Sequence, residues 1–168
     1  MHSFLERNFP PGYDFRNEIK TVSAAFIAGV VISVIGFCMA FSAEKRLLFV
    51  RVGTDLILNE SGVMPDFIHI LSGRLNILFI LAALIFISAS AVHYAYYHSG
   101  SKSIYLMRRL PNRFELHRRS LLIPFIYALI TILSALILLL VYYAAYMSLT
   151  PDVCLAPDQW RKVWRVFE

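Results

Sequence analysis

At 168 residues the chain has room for one domain, and its composition, 58% hydrophobic and 16% charged, lies outside the soluble globular range of roughly 45–50% apolar and about 25% charged. A formal net charge of +5 in so apolar a chain serves topology and anionic headgroups rather than nucleic acid. Cys38 and Cys154 stand far apart, with neither a CxxC pair nor metal-ligand spacing, so no zinc or iron–sulfur centre is expected; two free thiols are expected, with a disulfide as the alternative.

The fold class expected is therefore all-α integral membrane, with three transmembrane helices plus short interfacial helices in a single domain over 1–168. The first span covers about 21–42 and contains no charge. Ala40-Phe41-Ser42 looks like a signal-peptide cleavage site, but the preceding region carries Glu6, Asp14 and Glu18, and the apolar run exceeds the roughly 7–15 residues of a signal core. Retention as a helix is the expectation. Along this span Ala25, Gly29 and Ser33 recur at four-residue steps, with Gly36 and Ala40 near the same stripe. Small residues so spaced let helix backbones approach. They form either a helix-packing face, within the protomer or with a partner, or the ordinary glycine and alanine enrichment of membrane helices.

The connection 43–74 carries Asp55, Glu60 and Asp66 among apolar residues, with Gly53, Gly62 and Pro65 as breaks. It cannot span and reads as a structured outer segment lying partly in the interface. The second span, about 75–97, has His93 as its one ionisable group besides tyrosines and ends in Tyr94, Tyr96, Tyr97 and His98, an aromatic belt at the headgroup level. His93 and His98 are five residues apart and do not share a face for metal chelation, so both read as interfacial.

The third span, about 120–149, is preceded by Asn112 and Glu115, which have the spacing of a capping box. A helix beginning at Arg113 would be about 55 Å long, more than a core of roughly 30 Å. Pro124 provides a bend, because it lacks an amide donor and crowds the carbonyl of Ser120. Tyr142, Tyr143 and Tyr146 are expected to form the outer aromatic belt. In the tail 157–168, Trp160, Val163, Trp164 and Phe167 recur opposite Arg161, Lys162 and Arg165, the pattern of a membrane-surface helix.

Orientation follows the cations. With the N-terminus inside, nine of them are cytoplasmic and seven lie opposite; six of the nine crowd the short loop 98–119, where they resist translocation. Localisation in the cell membrane, multi-pass with a cytoplasmic N-terminus, is the expectation.

That loop also has shape. Ser101 or Ser103 can cap a short helix whose stripe Ile104, Met107 and Leu110 is flanked by Arg108 and Arg109, and Pro111 separates it from the next helix. An apolar stripe with arginines is a docking element for a cytoplasmic partner; the alternative is a positive-inside loop whose apolar residues dip into the headgroups. The run YYHSGSKSIYLMRRLPNRFELHRR resembles a cytoplasmic loop of small membrane proteins associated with ABC-2-type ABC exporters of Gram-positive bacteria. The resemblance implies a permease-like subunit assembled with a separate ABC ATPase, on which a coupling helix sits. Ser103, Ile104, Tyr105, Met107, Arg108, Arg109, Leu110 and Arg113 would then be partner-binding. Such permeases usually have six spans, so three imply a homodimer or a second membrane subunit.

The chain has no GxxxxGK[ST] loop, HExxH or GxSxG motif, and no span carries Asp, Glu, Lys or Arg. No catalytic residue, metal site or cofactor is expected. His93, His98 and Asn76 form no catalytic constellation. The class alternative is a small regulatory, sensory or immunity-type membrane protein that binds another membrane protein through the Ala25/Gly29/Ser33 face, or an outside ligand through 43–72.

Overall fold

A computed structural model describes residues 9, 13–52, 55–58, 62–98, 113–155 and 157–164. The element order is α1 (Phe15–Leu47), β1 (Phe49–Val52), β2 (Asp55–Leu58), α2 (Phe67–Leu71), α3 (Asn76–His98), α4 (Arg113–Leu149), a 3-10 turn (Asp152–Cys154) and α5 (Gln159–Trp164). Three helices, α1, α3 and α4, are long and apolar enough to cross a membrane, and the chain is an all-α membrane protein. The β1–β2 hairpin is a small addition within the 43–74 connection.

Each long helix follows from its ends. Asp14 accepts the Arg16 amide at 3.2 Å and the Asn17 side-chain amide at 2.8 Å, so α1 starts before its apolar run. Glu18 in its first turn and Lys45 and Arg46 in its last complement the helix dipole. Helix α1 thus exceeds the 21–42 span at both ends. Helix α4 begins at Arg113, as its sequence predicts, and remains helical across Pro124.

The described residues divide into two compact units, within 1–29 and 78–134, and within 30–77 and 135–168. In the first, Gly29 of α1 meets α3 so closely that an added Cβ would lie 2.7 Å from Leu81 Cδ2 and 3.3 Å from Leu78 Cδ2. Leu78, Ala82, Ile85 and Ala89 form the buried stripe of α3, and Ile123 and Pro124 are buried on α4.

In the second unit Phe37 stacks on Tyr142 with centroids 4.2 Å apart, and the Tyr142 hydroxyl shares a 3.1 Å hydrogen bond with Ser33. Tyr146 donates to Pro65 O at 2.9 Å, and Phe67 of α2 lies edge-on to Tyr143 and tilted against Tyr146. Tyr142 and Tyr146 are therefore buried rather than forming the expected aromatic belt. Their hydroxyls find partners inside the protein, which makes burial of the rings favourable. Arg74 caps two carbonyls of α2 and its turn and donates Nε–H to Gly36 O at 2.9 Å. Gly73 precedes it at φ 72°, a left-handed conformation suited to glycine. Cys38 is exposed, Cys154 is buried, and both are free.

Helix α5 is fastened by Asp66. Lys162 donates to Asp66 Oδ1 at 2.6 Å and Gln159 at 3.0 Å, while Gln159 Oε1 accepts the Phe67 amide at 2.9 Å. The hydrogen bonds from Lys162 and then Gln159 hold the Asp66 carboxyl below its ordinary range. A lowered carboxylate stabilises the fold above its unfolded value, roughly 3.9, and that contribution is lost as pH falls through the folded value. Both partners are a third or more exposed, so the effect is under about 1 kcal/mol. Acid titration followed by tryptophan fluorescence, both tryptophans lying in this tail, is expected to show release of α5 below the ordinary carboxylate range. Asp66→Asn should flatten that transition.

Candidate functional site

The polar centre of the first unit arises from three sequence facts. Glu18 sits one turn into α1, His93 lies in the last two turns of α3, and Pro124 follows Ser120 by four residues in α4. In a helix the amide of residue 124 would donate to the carbonyl of residue 120. Proline has no amide hydrogen, so the Ser120 carbonyl lacks its ladder donor. His93 supplies one: Nδ1 lies 3.2 Å from Ser120 O. On the other side of the ring, Nε2 lies 2.9 Å from Glu18 Oε2. His93 is 0% exposed and the Glu18 side chain 9%.

The partners dictate the protonation state. A carbonyl oxygen only accepts, so His93 Nδ1 carries a hydrogen. A 2.9 Å contact between Nε2 and a carboxylate oxygen needs one further proton between them. It rests either on the imidazole, giving an ion pair, or on Glu18, giving a neutral pair. Net charge is zero in both arrangements. Burial of the pair is tolerated for that reason.

Aromatic rings wall the imidazole. Phe9 and Tyr13 stand edge-to-face with it at 5.5 and 5.3 Å, and Tyr13 meets Tyr96 at 5.3 Å. Phe9 is buried and stacks on both Tyr13 and Phe15. Burial, and then the Glu18 carboxyl beside it, raise the Tyr13 phenol well above its ordinary range. Ser120 Oγ and Tyr127 Oη are buried close in sequence to this point of α4 without a hydrogen-bond partner among the described residues. One residue beyond His93, Tyr94 hydrogen-bonds to His117 across α3 and α4.

His93 is thus an interior residue, where sequence reasoning placed it at the headgroup level; Tyr97 is likewise fully buried. The pairing with Glu18 was missed because the two lie 75 positions apart and Glu18 stood outside the apolar run. One signal was available, the orphaned Ser120 carbonyl. Asn76 is the first residue of α3, at the opposite end from this centre, and the His98 side chain lies outside the described residues. Among the described residues no group of three or more His, Cys, Asp or Glu side chains could hold a metal ion.

Of the helix-packing candidates, Gly29 lies against α3 in the first unit and Ala25 is half-buried. In the second unit Ser33 is buried on Tyr142, and Gly36 faces the stem of Arg74, where an added methyl would make ordinary contact at 3.6 Å. The partner-binding candidates Ser103, Ile104, Tyr105, Met107, Arg108, Arg109 and Leu110 lie outside the described residues, as does the cap Asn112, and Arg113 is the first residue of α4. No family model, curated protein or solved structure matches the chain.

Proposed function

We propose that the chain is the membrane subunit of an ATP-dependent exporter and docks on a separate ATPase through the basic connection 101–119. The N-terminus and this connection then face the cytoplasm. A homodimer or a second membrane subunit completes the transport path, since three spans offer few walls for one.

The observation that carries this reading is the Glu18–His93–Ser120 tie. A docking loop transmits a partner's movement only if its roots are fixed to the helices that must move. His93 is five residues from the end of α3 and Ser120 seven residues from the start of α4. Their hydrogen bond clamps both roots of the connection, and Glu18 adds α1 to the same joint. Arg118 and Arg119 extend the charge of the connection onto α4.

The test is affinity purification of the tagged full chain from native membrane, with the recovered ATPase measured by mass spectrometry. Alanine at Met107, Arg108 and Arg109 together is expected to reduce ATPase recovery at least about tenfold, the scale of losing interface anchors worth about 1.4 kcal/mol or more, while the subunit's own level in the membrane is unchanged. Recovery equal to that of the unaltered chain would sink the docking assignment.

A further inference from the structure

The second unit carries an open groove of about 640 Å³ between α1 and α4, within the roughly 300–1,000 Å³ of small-molecule sites. One wall is Phe37, Cys38 and Phe41 of α1; the other is Leu138, Val141 and Ala145 of α4. On α1 the lining extends from Val34 to Arg46, about 18 Å at 1.5 Å per residue. That is close to one leaflet, half of a hydrocarbon core of roughly 30 Å.

The groove is apolar along most of this length and cationic at one end. Lys45 and Arg46, in the last turn of α1, both line it. Lys45 Nζ lies 6.0 Å from the centroid of the Phe41 ring, which directs the ammonium over the groove floor. Glu44, the acid of the same turn, does not line it. Phe49, at the start of β1, closes this end with an aromatic ring.

We propose that the groove binds one anionic phospholipid, with an acyl chain along the Phe37/Phe41 and Leu138/Val141 walls and the headgroup phosphate held by Lys45 and Arg46. The length matches one leaflet, and the paired cations favour a headgroup with net negative charge over a zwitterionic one. Its occupancy does not depend on the exporter reading.

The test uses the full chain in nanodiscs containing equal phosphatidylglycerol and phosphatidylcholine, released into native mass spectrometry. One retained phosphatidylglycerol per chain is expected, enriched over phosphatidylcholine by about fivefold or more, a difference of about 1 kcal/mol. Lys45→Gln with Arg46→Gln should return the ratio to that of the bilayer. Ala145→Phe, which fills the groove and keeps both cations, should remove the adduct altogether. Equal retention of the two lipids, or an adduct unmoved by Ala145→Phe, would overturn the proposal. So would Cys38–Cys38 cross-linked dimers forming at the same yield with and without phosphatidylglycerol, since a second copy would then cover the groove. Thermal unfolding of each variant confirms that it is folded before its lipid content is read.

Discussion

His93→Leu is expected to destabilise the protein by about 2–4 kcal/mol, the cost of leaving two buried oxygen acceptors without their partner. The Glu18 carboxylate, 9% exposed, loses its 2.9 Å partner, and the Ser120 carbonyl loses its substitute donor in the same step. Glu18→Leu should cost less, about 1–3 kcal/mol, because the neutral imidazole keeps its Nδ1–H bond to Ser120 O and only Nε2, then an acceptor without a donor, is left unsatisfied. Glu18→Leu combined with His93→Leu is expected to be no worse than His93→Leu alone. Removing both partners together leaves neither of them buried and unsatisfied, so the losses are far from additive. What remains is the Ser120 carbonyl, and adding Pro124→Ala, which restores the amide at that position, should recover about 1 kcal/mol more. Unfolding in mixed micelles, followed by circular dichroism, reads all four variants. Additive losses for Glu18→Leu and His93→Leu would show that no pair exists.

The second large effect is expected at Gly29. An added methyl there would lie 2.7 Å from Leu81 Cδ2, the mobile end of a side chain, so Gly29→Ala should shift Leu81 and cost under about 1 kcal/mol. Gly29→Leu drives several more carbons into the same contact and is expected to cost about 1–3 kcal/mol or more. Helices in lipid associate through close packing rather than through exclusion of water, so the loss falls directly on the α1–α3 contact. Gly36→Ala is the control: its new methyl would meet only Arg74 Cγ and Cδ, at 3.6 and 3.8 Å, and the same unfolding measurement should scarcely move. Equal effects at the two glycines would remove any special role from Gly29.

The three long helices were legible because an apolar run of about 20 residues has few other solutions, and the start of α4 at Arg113 was legible from the capping pattern of Asn112 and Glu115. The hairpin was overlooked although its signals are present. Val50 and Val52 alternate with Phe49 and Arg51, and Asp55 to Leu58 returns two residues later, in register Phe49↔Leu58 to Val52↔Asp55; the acids and glycines of this segment mask that alternation by reading as breaks. The tyrosines show a different limit. Tyr142 and Tyr146 have the composition of an interfacial belt, yet each is buried by a partner remote in sequence, Ser33 and Pro65. Periodicity carries no information about such partners. Glu18 and His93 are the extreme case, since neither reads as interior until the other is beside it.

Pro124 bears on how the chain enters a bilayer. A helix normally arrives with its backbone hydrogen bonds complete, which is what permits insertion segment by segment. Helix α4 does not: at Ser120 its ladder is completed by a side chain of α3. Without α3, α4 would carry an unbonded carbonyl in the first turn of its span, directly after Arg118 and Arg119. Because α3 precedes α4 in the chain, the missing donor is already present when α4 emerges. The order of synthesis is thus also the order in which the backbone of α4 becomes satisfied at Ser120.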